Sequence, residues 1–194
     1  ELRDSKRRIL RTELAAALHD APATAEKVRL LLEAGDEQRA LSEGIAWAEG
    51  AVRGDVSPGS VALLSRIVSA CSKDAAGSRM QRAQLLALYG RAATRADVFD
   101  PRGMRALEAA EELDEPSILA SVEIERAARH RAHGEAREAN ASLLRARQRL
   151  RSAPSPVLEV RVNEEQAWLL EAQGDSLGAI SSWRAAEKAS DNEQ

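Results

Sequence analysis

The side chains best suited to chemistry in this chain are His130, His133 and Glu135, two imidazoles three positions apart followed by a carboxylate. At one helix end that spacing could bring nitrogen and oxygen ligands towards a divalent cation. A metal site asks for three or four converging ligands, however, and the remaining histidine, His19, is remote in sequence. A solvated pair at a helix C-terminus, favoured by the negative end of the dipole, is the simpler reading. Cys71, the single cysteine, has no histidine near it and reads as a small apolar residue on a buried helix face, not as a nucleophile. Neither a G-x-S-x-G elbow nor a phosphate-cradling glycine loop occurs. Adjacent acids are plentiful, as in Glu111-Glu112, Asp114-Glu115 and Glu164-Glu165. On arginine-rich helices they are expected to serve as ion-pair partners three or four residues away, Glu123 with Arg126 and Glu125 with Arg129. The basic run Lys6-Arg7-Arg8, with Arg3 and Arg11, could meet phosphate, but Glu1, Asp4 and Glu13 interrupt it and leave a solvated helix face. The expectation is a protein without catalytic residues, cofactor or metal: a binding protein and not an enzyme.

The elements that would carry these residues are helices. Ala, Leu, Arg and Glu dominate the 194 residues, aromatics make up 3%, and runs of β-branched residues are missing. A net charge of −3 with 30% charged residues describes a mixed-sign surface, unlike the basic face of a general nucleic-acid binder, so no direct nucleic-acid partner is expected. No apolar run approaches the roughly 20 residues that span a bilayer, and no signal peptide stands at the front; the expectation is a cytoplasmic protein with no membrane contact. The chain opens on Glu1 without a methionine, as a fragment of a larger protein or a processed form would.

Helical spacing runs from Leu2 to about Leu18, then from Pro22 through Val28, Leu31 and Leu32 to Gly35. Asp36 caps a helix through Leu41, Ile45 and Val52, and Ser57-Pro58 launches another through Leu63, Leu64 and Ile67 towards Gly77. A helix from Ser78 to about Ala96 precedes Asp100-Pro101, which repeats the cap-plus-proline device, and Pro116 punctuates. The next pair runs from Ser117 to His133 and, past Gly134-Glu135, to about Arg151. The last runs from Val157 to Gln173 and from Asp175 to about Ala189. In this register Gly35-Asp36 falls between hairpins and reads as an ordinary cap.

The segment Gly174-Asp175-Ser176-Leu177-Gly178-Ala179-Ile180-Ser181-Ser182-Trp183-Arg184-Ala185-Ala186 has a left-handed glycine, a capping acid, then Ala179, Trp183 and Ala186 on one face; Ala139, Leu143 and Ala146 repeat that spacing. This resembles a tetratricopeptide repeat, best over 117–189. The resemblance implies an all-α fold, a right-handed α-solenoid of about five helix-turn-helix hairpins forming a single TPR-like repeat domain over 1–194. It also implies a protein-interaction scaffold with a concave surface lined by the first helices. Carrying over the groove-facing positions nominates Arg91, Arg95, Arg131, Arg161 and Trp168 as partner-binding residues. Their planar donor forks and one broad ring suit an acidic peptide or the acidic face of a partner protein. The lysine-and-asparagine clamp with which some members hold a C-terminal carboxylate is not visible; Asn163 lacks the accompanying lysines. The alternative is a regulatory or sensor repeat domain of a larger bacterial-type regulator, on fold analogy.

Overall fold

The computed structural model describes residues 22–54, 56–70, 79–97 and 100–191, together with positions 6, 9, 10, 13, 14 and 17. Among the described residues there are nine numbered helices and no strand. They are α1 (Ala25–Ala34), α2 (Glu37–Arg53), α3 (Pro58–Ala70), α4 (Arg79–Ala96), α5 (Pro101–Glu111), α6 (Pro116–Ala132), α7 (Ala136–Ser152), α8 (Pro156–Ala172) and α9 (Ser176–Asp191). None of them is long and apolar enough to cross a membrane. Cys71, His19, Arg3, Arg7, Arg8 and Arg11 lie outside the described residues.

Several helices start where a polar side chain takes up a loose backbone N–H. The side chains of Asp36, Ser57, Asp100 and Asp175 accept from the amides of Arg39, Ser60, Arg102 and Gly178 at 3.2, 3.1, 2.9 and 2.9 Å. Two starts differ from expectation. Thr24, not Pro22, opens α1, its Oγ1 accepting from Lys27 N at 3.2 Å. Pro116 does more than punctuate: it is the first residue of α6, with the Glu115 carboxylate accepting from Ile118 N at 3.0 Å. A proline there loses nothing, because the first amides of a helix have no intrahelical acceptor.

The chain forms two compact units, Glu1–Ala96 and Asp97–Gln194. In the first, α1 packs on α2, α2 on α3 and α3 on α4, and helices also meet their second neighbours, α1 on α3 and α2 on α4. Leu31, Leu41, Leu64, Ile67 and Leu85 fill the core, with Ala40 and Ala48 letting backbones approach. At Gly44 of α2 the approach is close: a Cβ there would stand 3.0 Å from Ile67 Cδ1 of α3. Lys27 is buried with its stem in this core, its Nζ 2.7 Å from Glu43 Oε1 of α2.

In the second unit α5 packs on α6, α6 and α7 pair, α8 and α9 pair, and the pairs join through α7 on α8 and α6 on α8. Consecutive packing with second-neighbour contact is compatible with a helical repeat. The core between the pairs is made by Ala120, Ile124, Leu143 and Leu150 on one side and Val162 and Leu169 on the other.

Three turns share one geometry. Gly35, Gly134 and Gly174 have φ of 78°, 77° and 80°, a region open to glycine at little cost. The next residue's amide then reaches back into the helix: Asp36 to Leu31 O at 3.0 Å, Glu135 to His130 O and Asp175 to Leu170 O at 2.9 Å. Gly35-Asp36 is thus the same turn as the other two, and α1 and α2 pack across it.

Candidate functional site

Two features of the second unit draw together most of the residues singled out in the sequence: a polar seam between α6 and α8, and an exposed face on α8 and α9.

The seam is built from reciprocal charge pairs. Arg131 of α6 donates from Nε to Glu165 Oε1 of α8 at 2.6 Å, and from Nη2 to Oε2 at 3.4 Å. In the opposite sense, Arg161 of α8 donates from Nη2 to Glu125 Oε1 of α6, and from Nη1 to Ser121 Oγ at 3.2 Å. Glu125, Arg161 and Glu165 are all buried. Burial is the largest influence on Glu165 and pushes its carboxyl above the usual glutamate range, with Glu125 adding repulsion while Arg131 and Arg161 pull the other way. Charges drawn so far from water need partners, and here they have them.

Arg126 of α6 forms the next layer. Its guanidinium grips Glu111 of α5 with two bonds of 2.6 Å and reaches Glu123 at 3.3 Å. Arg145 of α7 sets Nη2 2.9 Å from Glu123 Oε2, an ionic contact whose angle leaves that oxygen without a hydrogen bond. Of the two short-range pairs expected on α6, Glu123 with Arg126 forms. Glu125 turns instead to Arg161, and Arg129 keeps a buried Nη1 without a hydrogen bond. The acid doublets are accordingly structural where they are engaged: Glu111 and Glu165 hold arginines, and Glu115 caps a helix.

The five nominated residues are distributed over both units. Arg91 and Arg95 lie on α4 in the first unit; Arg91 is half-buried and engaged, and Arg95 donates from Nη1 to the Val52 carbonyl near the end of α2. Arg131 and Arg161 meet at the seam. Trp168 remains exposed, at 48%. Its ring stands edge-on to Trp183 of α9, centroids 5.1 Å apart and planes at 89°, and the Trp183 Nε1–H donates to Glu171 Oε1 at 3.1 Å. The sequence reading missed the surroundings of this pair. Ile180 is 48% exposed, and a depression of about 480 Å³ beside Trp183 is lined by Val160, Glu164, Ile180, Arg184 and Glu187. Helix numbering signals the face, since Val160, Glu164 and Trp168 recur every fourth residue, as do Ile180, Arg184 and Lys188.

His130 and Glu135 form a local pair, Nδ1 to Oε2 at 2.6 Å, and that bond holds the exposed Glu135 carboxyl below its usual range. Among the described residues no group of three or more His, Cys, Asp or Glu side chains converges as a cation site would require. A second depression, about 380 Å³, lies between α7 and α8 with Arg147, Arg151, Glu159 and Asn163 on its walls. Arg147 Nη2 donates to Asn163 Oδ1 there at 3.4 Å, and burial lowers the pKa of Arg147.

No family model, curated protein or solved structure matches this chain.

Proposed function

We propose that this chain is a protein-interaction module of the tetratricopeptide type, in which packed helix pairs hold a partner and perform no chemistry themselves. The observation that carries the reading is the group of large apolar side chains left in water on α8 and α9, Trp168 edge-on to Trp183 and Ile180 beside Trp183 in the same depression. Aromatic and aliphatic residues grouped in this way mark surfaces that another molecule covers. An acidic partner bound by arginines is supported less well. To receive it, Arg131 and Arg161 would have to leave Glu165 and Glu125, and the exchange of one buried carboxylate for another gains little.

The test is photo-crosslinking in the source cell, with a photoreactive residue placed at Ile180 or, for comparison, at the exposed Arg149 of α7. The expected result is a discrete protein adduct from position 180 that is absent from position 149. Equal, diffuse labelling from both positions refutes the reading.

A further inference from the structure

The two helix pairs of the second unit are copies at a constant offset. Pro116 and Pro156 open the first helices, Gly134 and Gly174 stand in the turns, and Ala136 and Ser176 open the second helices, each pair separated as Ser121 is from Arg161, by 40 residues. The α6–α7 pair uses one face to seat α8: Ala120, Ile124, Leu143 and Leu150 surround Val162 and Leu169, with Leu158 at the edge. Moved along by the offset, those four positions become Val160, Glu164, Trp183 and Ser190. All four line the 480 Å³ depression on α8 and α9. The exposed depression is therefore the counterpart of a surface that, one repeat earlier, holds a helix.

The differences between the two seats define what fits the open one. Where the closed seat has Ile124, the open seat has Glu164; where Arg147 reaches Asn163 of the seated helix, the open seat has Glu187. Arg184 lines the same depression, leaving a net charge of one negative. Glu164, Arg184 and Glu187 make no ion pair among the described residues. A helix covering Glu164 and Glu187 removes water from two carboxylates and must return cations to them. A second copy of α8 cannot do so at Glu187, because on the side that meets Arg147 and Arg151 in the closed seat it carries Glu159 and Asn163 and no cation.

We infer that the α8–α9 face takes one amphipathic helix of a partner protein, with aliphatic side chains at the spacing of Leu158, Val162 and Leu169 and with Lys or Arg on the flank that meets Glu164 and Glu187. The inference rests on the interaction-module reading and specifies its partner. Aliphatic anchors give affinity, and the basic flank sets which helices are accepted.

The probe is a dye-labelled, end-capped peptide covering Ser155–Gln173 with Glu159→Lys and Asn163→Lys, titrated into the full chain and followed by anisotropy; the unsubstituted peptide is the comparison. The basic peptide is expected to bind saturably and roughly tenfold more tightly than the unsubstituted one. The protein variant E164K/E187K is expected to reverse that order, and Ile180→Asp to abolish binding of both, each variant keeping the wild-type circular dichroism. Equal binding of the two peptides, an unchanged preference in E164K/E187K, or no saturable binding overturns the inference. So does light scattering that shows a dimer dissolved by Ile180→Asp, which would make the occupant a second copy. If crosslinks from position 180 persist while the peptides fail, the module reading stands and the helix specificity falls; loss of both removes the module reading as well.

Discussion

Arg161 shows how a residue chosen for binding is consumed by folding. Its guanidinium is buried against Glu125 and Ser121, so Arg161→Ala takes from the buried Glu125 carboxylate the counter-charge that Arg161 supplies. The expected cost is about 3–5 kcal/mol in urea unfolding, whereas the pair Arg161→Met with Glu125→Leu is expected to come within about 1 kcal/mol of wild type, since two apolar groups need no desolvation. Equal losses in the two variants would mean that the pair itself, and not the stranded charge, carries the stability. Glu165 makes a second test. Its carboxyl titrates above the ordinary glutamate value because burial outweighs Arg131. Between the unfolded and folded values the native state holds more protons than the unfolded chain, so Glu165 makes stability fall as pH rises through that window. Side-chain carboxyl NMR should place this group above the exposed glutamates, and Glu165→Gln should remove its share of the pH slope.

At the level of elements, the turn into α9 is the most exposed to single changes. Gly174 has φ of 80° and Asp175 caps the helix at Gly178 N, so Gly174→Ala and Asp175→Ala should each cost about 1 kcal/mol in thermal unfolding. Gly178 is tied to the same cap: a Cβ there would meet Asp175 Oδ2 at 2.4 Å, so the carboxylate has to swing aside if alanine replaces it. These devices were legible in the sequence because they are local; Asp36, Ser57, Asp100 and Asp175 each act on an amide two or three residues on. The seam was not legible, since Arg131 finds Glu165 34 residues away and Arg161 finds Glu125 36 residues away. Short-range charge spacing pointed Glu125 at Arg129, and only the packing of α6 on α8 decides for Arg161. The exposed face went unread for a related reason: Trp183 fits a repeat consensus equally well whether or not another helix lies on it.

On the scale of the whole chain, composition announced helices closely packed through alanine, and Ala40, Ala48, Ala92, Ala120, Ala127, Ala139 and Ala146 are fully buried. What it did not announce is the division after Ala96, which falls inside the third expected hairpin, between Ser78–Ala96 and the helix that follows Asp100. The second unit has its own core and its own ion pairs. Expressed as residues 97–194, it should give helical circular dichroism and a cooperative melt; a flat, non-cooperative trace would show that it depends on the first unit. Within this unit the crossed arginines have a mechanical corollary. Sliding α8 by one turn in one direction brings Glu165 opposite Glu125, and in the other brings Arg161 opposite Arg131, so either slip sets like charges face to face. The crossed pairs thereby favour a single axial setting of one hairpin against the other.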